Sequence, residues 1–430
     1  MNSDRSKFPR LSNIEQSVGA QTFLNGEIHD WYRIVLGYSD HLVSSLIEEM
    51  GIQPDQKVLD PFCGTGTTLI ECMKKNILSV GIDANPSSCF AARVKTQWQL
   101  DTNRIRRASL SVQNSFSGNY NSKKLLKSDR TYLYMLESGM IDREWISELP
   151  LLKSLAIKTS IKDVNTESKY RNILMLALLA EVVNGASNVK FGPELYCGDI
   201  KSNHDVLEGF LTRVDAMIAD LKKALSIESK KARVIYGDSR DCASLKQLKA
   251  LGKFDAVICS PPYPTEHDYT RNARLELAFL EKVYSVDSLR FIKKGMIRSH
   301  TKGIYKEDND SSIVRNYKQI SNLSARLERK AKGNSDGFSK LYSKVLREYF
   351  GGMKKHFLTV APRLKKGARC AYIVGDQSSY LQVHIPTAEI LASIASKSGF
   401  RVVGIKHWRK RWSTSLSKKI DENILMLQKK

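Results

Sequence analysis

No two of the seven cysteines (63, 72, 89, 197, 242, 259 and 370) stand at Cys-x-x-Cys spacing, and no Cys/His cluster of zinc type occurs. A structural zinc site of the usual pattern and a disulfide framework are thereby excluded. An odd, patternless cysteine set fits a reducing compartment. The first residues, MNSDRSKFPRLSN, lack an apolar signal core. No run approaches the 18 or so apolar residues that would cross a membrane, and the stretch from Ile173 to Val183 reads as a buried helix. A cytoplasmic protein without a membrane partner is expected. Internal repeats and low-complexity tracts are absent as well, so solenoids and disordered arrays are excluded.

Acidic residues are also in short supply. Against 68 Lys and Arg there are 45 Asp and Glu, a net charge of +23. Charge of this size bears on partners rather than on fold, and a polyanion is the natural partner. Hydrophobic residues make up 42% of the chain and charged residues 26%, enough apolar side chains for a sizeable globular core.

Strand and helix patterns alternate. Gln56–Phe62, Leu78–Asp83, Ala232–Asp238, Phe254–Ser260 and Ala368–Asp376 read as strands. Helical patterns follow at Thr67–Lys75, Ser87–Thr96 and Thr387–Ser398, and Phe400–Trp408 with Asn423–Leu427 reads as a closing hairpin. This order predicts an α/β fold, a doubly wound and mostly parallel sheet of seven strands with a terminal antiparallel hairpin. Two stretches break the rhythm: residues 97–230, mostly helical in pattern, and the polar, basic residues 271–345. The expected organisation is a cofactor-binding half over 1–96, a helical insertion over 97–230 and a third and fourth strand over 231–270. A basic insertion over 271–345, the candidate for target recognition, and a C-terminal part over 346–430 complete it. Insertions on such scaffolds commonly carry recognition; the apolar part of 97–230 reads better as a helical cover.

The first strand ends in Asp60-Pro61-Phe62-Cys63-Gly64-Thr65-Gly66-Thr67-Thr68. Gly64 and Gly66 let the backbone approach a ligand closely, and the helix that follows presents free amides. The loop lacks the Lys-Ser/Thr ending of a phosphate loop and the full GxGxxG pattern. Asp60 suits a ligand carrying a positive charge or an amine. Asp83, about 20 residues beyond the glycines, is placed for two ribose hydroxyls, and Asp238 for an adenine amino group. Any one such acid may serve as a helix cap; three successive strand ends with Asp is the stronger signal. S-adenosylmethionine, with its sulfonium, amine, ribose and adenine, answers all three.

Ser260-Pro261-Pro262-Tyr263 ends the fourth strand. Two prolines cannot continue a central ladder, and they fix an extended backbone. As a bare string this is a proline-rich turn. Its place at the carboxyl edge of the sheet, beside the glycine loop, makes it a candidate site of chemistry.

DPFCGTGTT and SPPY together resemble the cofactor and catalytic motifs of the amino-group DNA methyltransferases, whose catalytic motif is (Asp/Asn/Ser)-Pro-Pro-(Tyr/Phe). The serine form, and the longer SPPYPTEHDYTR, are similar to the cytosine-N4 type. HDWYRIVLGYSDHLV, with Trp31, Tyr32, Tyr38 and Ser39, more loosely resembles the family's cofactor-contacting segment ahead of the loop. The likeness covers about 29–96, 232–290 and 345–430, and leaves both insertions outside. It implies a seven-stranded Rossmann-like fold and S-adenosylmethionine bound by Tyr38, Asp60, Pro61, Phe62, Cys63, Gly64, Gly66, Thr67, Asp83 and Asp238. Ser260, Pro261, Pro262 and Tyr263 would be catalytic. Base flipping, no metal, and methyl transfer to cytosine N4 in duplex DNA, with a cognate restriction endonuclease or defence system as partner, complete the expectation.

Ser260 and a proline-region carbonyl would accept hydrogen bonds from the amine, and Tyr263 would stack on the base. Cytosine-C5 chemistry would need a nucleophilic cysteine, usually after proline, and the chain has no Pro-Cys dipeptide. Cys259 is expected to be buried. His267, Asp268, Tyr269 and Arg271 suit a base pocket, a phosphate contact or a structural role equally. The cluster KHWRKRW (406–412) is expected to join the last two strands and suits nucleic-acid contact. Three alternatives stay open: adenine-N6 methylation, guanine-N2 methylation of tRNA and a silent DNA binder. Only 59 residues precede Asp60, where the tRNA enzymes usually carry an RNA-binding domain.

Overall fold

The computed structural model describes residues 8–12, 27–32, 37–191, 195–333, 337–413 and 417–430. Ten strands are described: β1 (Arg10–Leu11), β2 (Lys57–Asp60), β3 (Leu78–Asp83), β4 (Val189–Phe191), β5 (Leu195–Cys197), β6 (Arg233–Tyr236), β7 (Phe254–Cys259), β8 (Leu364–Gly375), β9 (Phe400–Ser413) and β10 (Lys418–Lys429). The main sheet runs β1-β9-β10-β8-β7-β2-β3-β6. Only β10 is antiparallel to its neighbours, β8 and β9; the pairs β2–β3, β2–β7, β3–β6, β7–β8 and β1–β9 are parallel.

Seven of these eight strands are the seven that the pattern predicts. The eighth, β1, is a correction: two residues at the outer edge, registered Arg10 to Ile405 and Leu11 to Lys406, are too short to show a period of two. The hairpin is also longer than expected. KHWRKRW lies inside β9 and not at a turn, because its inward basic side chains find acids: Lys406 meets Glu49 at 2.5 Å and Arg409 meets Glu422 at 2.5 Å. Trp408 is buried and Trp412 exposed.

Alternate residues of the central strands feed two cores. Val58, Ile258 and Ile373 pack under helix α1 (Asp40–Glu49). Leu59, Val257 and Tyr372 pack under the helices Tyr342–Val360 and Thr387–Ser396. Helices α2 (Thr67–Lys74) and α3 (Pro86–Lys95) then join a third core, which the helices Thr102–Asn121, Glu148–Asp163, Ser168–Glu181 and Val206–Ala224 complete. Residues 97–230 are thus largely a helical layer laid on the parallel sheet's own helices. Residues 271–345 are shared between the cores, Leu275 and Ile292 in one and Val314 and Ile320 in another. No helix among the described residues is long and apolar enough to cross a membrane.

Candidate active site

All five parallel strands from β2 to β8 deliver their carboxyl ends to one edge of the sheet, where open α/β sheets hold ligands. The turn after β2 needs two left-handed residues, and both are glycine: Gly64 at φ +50° and Gly66 at φ +93°. Gly66 precedes the first residue of α2, and a Cβ there would crowd Ala92 at 3.2 Å. In β3, a Cβ on Gly81 would lie 2.7 Å from the Cys63 side chain. That glycine makes room for the loop, a requirement no local pattern announces.

Asp83 ties the loop to the second strand. Its Oδ2 accepts the Gly64 N–H at 2.9 Å and its Oδ1 the Asn85 N–H at 2.7 Å. Burial raises this carboxyl to about 6, against the lowering effect of those amides. Asp60 is turned into the protein, fully buried. Its Oδ1 accepts the Phe62 N–H at 3.0 Å and its Oδ2 the Tyr38 hydroxyl at 2.9 Å; that hydroxyl also meets Thr68 Oγ1 at 2.5 Å. Burial pushes the Asp60 carboxyl up to about 7. Asp238 caps the short turn that follows it, accepting the Arg240 N–H at 2.8 Å, and its carboxylate pairs with the Arg240 guanidinium at 2.7 Å.

A cavity of about 580 Å³ opens along this edge. Pro61, Phe62, Gly64 and Asp83 line it, as do Ser260, Pro261, Pro262 and Tyr263. Tyr38, Asp60, Cys63, Gly66, Thr67 and Asp238 are not among the residues that line it. Tyr32 lines it and donates to Glu276 Oε1 at 3.0 Å, while Ser39 caps α1 and Trp31 donates to Asp220 at 2.9 Å. Ser260 Oγ donates to the Tyr263 hydroxyl at 3.3 Å, and the Tyr263 N–H reaches the Tyr269 hydroxyl at 3.4 Å. Burial holds the Tyr263 phenol well above its ordinary range and pushes Tyr269 up to about 12, so both stay neutral. Cys259 is fully buried and its thiol is driven far up, which leaves it no thiolate to attack with.

The segment after the proline turn divides. Tyr269 faces the cavity. Asp268 instead caps the turn Tyr269–Asn272 and binds Lys293 at 2.6 Å; against the raising effect of burial, the nearby His300 and Lys293 and the Thr270 hydroxyl hold its carboxyl well below the usual range. His267 meets Asn272 at 2.5 Å, and with Arg271 it lines a neighbouring recess.

Sequence reasoning gave no individual role to several wall residues, among them Thr65, Asn85, Glu276, His300, Arg411 and Glu422. Only the last strands' basic cluster gave a signal. One trio of possible metal ligands occurs among the described residues, His29, Asp40 and Glu71. Lys74 already holds the Glu71 carboxylate at 2.8 Å, and His29 Nε2 meets the same oxygen at 2.9 Å.

Residues 38–93 match a family model described as "DNA methylase". The chain is 25% identical to the Type II methyltransferase M.BsoBI of Geobacillus stearothermophilus, across 93% of this chain and 83% of that protein. It is 24% identical to the Type II methyltransferase M.AvaI of Anabaena variabilis, across 86% and 79%. A 73-residue stretch is 38% identical to M.MjaII of Methanocaldococcus jannaschii, 16% of this chain and 14% of that one. Among solved structures, TrmN from Thermus thermophilus superposes with a TM-score of 0.33 at 10% identity, over 94% of this chain and 52% of that one. The rRNA methyltransferase aviRa from Streptomyces viridochromogenes gives 0.32 at 9%, over 96% and 93%. Scores of this size carry no argument about function.

Proposed function

We propose that this chain is an amino-group methyltransferase and that it methylates the exocyclic N4 amine of cytosine in DNA. One observation carries the reading: the glycine loop with Asp83 and the Ser260–Tyr263 turn open into a single cavity. A methyl donor and an acceptor amine bound there would lie in contact.

The residues fit S-adenosylmethionine. About 580 Å³ is ample for a ligand of that size together with part of a base. Thr65 Oγ1 is buried in the cavity wall without a hydrogen-bond partner among the described residues, a state that a bound polar group would relieve. Asp83 would offer its carboxylate to the ribose hydroxyls, and Gly64 would leave room for the charged end of the cofactor. The cofactor supplies an electrophilic methyl group on sulfur.

The chain's own residues do the rest. A cytosine amine is a weak nucleophile because its lone pair is shared with the ring. Ser260 Oγ and a carbonyl of the proline turn accept its two N–H groups. This favours a pyramidal nitrogen, with the lone pair aimed at the methyl. Tyr263, neutral and fixed by Ser260 and Tyr269, offers its ring face to the base. Paired cytosine cannot reach this cavity, so the base is flipped out of the duplex. The serine form of the catalytic turn supports cytosine over adenine. Residues 271–345 are the proposed target-recognition part, since Asn272, Glu276 and His300 reach the cavity while Val286 and Phe291 stand more than 70% exposed. A cognate endonuclease is the partner that the Type II relatives suggest. Incubating the protein with methyl-labelled cofactor and duplex DNA should label the DNA; label that enters only RNA, or no nucleic acid, overturns the proposal.

A further inference from the structure

The carboxyl end of β8 meets the hairpin beside the catalytic turn. Gly375 is registered opposite Glu422, and Glu422 opposite Arg409. A Cβ on Gly375 would lie 3.2 Å from the Tyr263 ring, 3.2 Å from Gln377 Nε2 and 3.4 Å from Arg411 Nε. Glycine at this point therefore lets Tyr263 and Arg411 stand side by side. Arg411 is held in place: one Nη donates to Gln377 Oε1 at 2.6 Å and to the Asp376 carbonyl at 3.3 Å. Glu422, 3% exposed, takes the Arg409 Nε–H at 2.5 Å and stands 3.5 Å from Arg411 Nε. That last pair is not aligned for a hydrogen bond. Among the described residues, Arg411 Nε is thus a buried donor that has the Glu422 carboxylate nearby but no hydrogen-bond partner, and Arg411, Glu422 and Tyr263 all line the cavity. A buried donor left in this state is costly, and a ligand acceptor removes the cost.

We infer that Arg411 is a specificity residue that reads the pairing edge of the flipped base and selects cytosine. The inference rests on the cytosine reading above and names what enforces it. Next to its amine, cytosine carries two adjacent acceptors, N3 and O2. Adenine carries one, N1, and then a C–H. A guanidinium holds several donors in one plane; with one Nη of Arg411 held by Gln377 and Asp376, the donors that remain on its other nitrogens meet cytosine's acceptors, and against adenine one of them is left unmatched. With the amine at Ser260 and the ring on Tyr263, the rest of that edge is left for the neighbour of Tyr263, which is Arg411. Glu422 offsets part of the guanidinium charge, which would otherwise oppose the positive charge developing on the amine nitrogen.

The test uses the full chain and a duplex carrying its methylated site, mapped from labelled genomic DNA. One duplex holds the target base and a second an abasic target. Wild type, R411A, R411K and Q377A are compared for affinity on both, and for kcat/KM on the first, after matching their melting curves. R411A should lose on the order of ten- to a hundredfold of the base-containing duplex's advantage, with a parallel fall in kcat/KM. Its affinity for the abasic duplex and for the cofactor should not move. R411K should fail similarly, since an ammonium cannot fork, and Q377A should fall between. An R411A protein that keeps the advantage, or that loses affinity equally on both duplexes, overturns the inference. If wild type itself makes N6-methyladenine, the cytosine reading falls first, whatever the Arg411 variants do.

Discussion

Among the described residues, the hydrogen bonds of Ser260 and Tyr263 run to each other and to Tyr269 and not to the glycine loop or Asp83, so the two halves of the cavity should fail separately. Ser260→Ala and Tyr263→Ala are expected to lower kcat by at least about a hundredfold while cofactor affinity by calorimetry stays near wild type. Loss of cofactor binding in either variant contradicts the division. Asp83→Ala should do the reverse and weaken cofactor first. Because the Asp83 carboxyl stands near 6, cofactor affinity should decline as pH falls through about 6, and Asp83→Asn should flatten that decline.

Asp60 makes a different prediction. Its folded value, about 7, lies above the ordinary 3.8. Between those values the folded chain holds a proton that the unfolded chain has released, so stability from this group falls as pH rises from about 4 to about 7 and stays reduced above. Asparagine keeps the acceptor for Phe62 and can donate to Tyr38 Oη, which then gives its own proton to Thr68. Asp60→Asn should therefore fold, bind cofactor, and melt no lower than wild type at pH 8, with a flatter pH profile. A lower melting temperature at pH 8, or lost cofactor binding, would show that the charge itself is used.

At the level of elements, the long helix Tyr342–Val360 fixes the basic insertion. A Cβ on Gly351 would lie 2.1 Å from the Asp310 carbonyl oxygen, and Asp310 in turn pairs with Arg240 at 2.7 Å and with Lys355. Both colliding atoms belong to backbone or its nearest carbon, so neither can swing away. Gly351→Ala should cost roughly 1–3 kcal/mol or more in urea unfolding; an unchanged midpoint would mean that the insertion is not held there. Elements were also where the sequence was most and least readable. Strand β3 coincides with its predicted bounds, Leu78–Asp83, because a buried parallel strand is a dense apolar run between turn signals. The loop, Asp83 and the proline turn were readable for the same reason: each is local. The Tyr38–Asp60–Thr68 network and the pairing of Glu422 with Arg409 were not, since they depend on how separate elements pack and register against one another. The Arg411 neighbourhood depends on a missing side chain at Gly375, which leaves no trace in a pattern of side chains.

Across the whole molecule, the +23 charge has a measurable consequence. Binding to duplex DNA should weaken steeply with salt. Six or so phosphate contacts would reduce affinity on the order of a thousandfold between about 50 and about 200 mM. A shallow dependence would show that the basic surface does not face the duplex. The division into layers was only partly legible. Residues 97–230 announce helices, but the core that they share with α2 and α3 follows from packing alone.

The claim on which the rest depends is the identity of the methylated atom. Genomic DNA methylated by the wild-type protein, digested to nucleosides and resolved by mass, should contain N4-methylcytosine. N6-methyladenine in its place, or no methylated nucleoside, would contradict it.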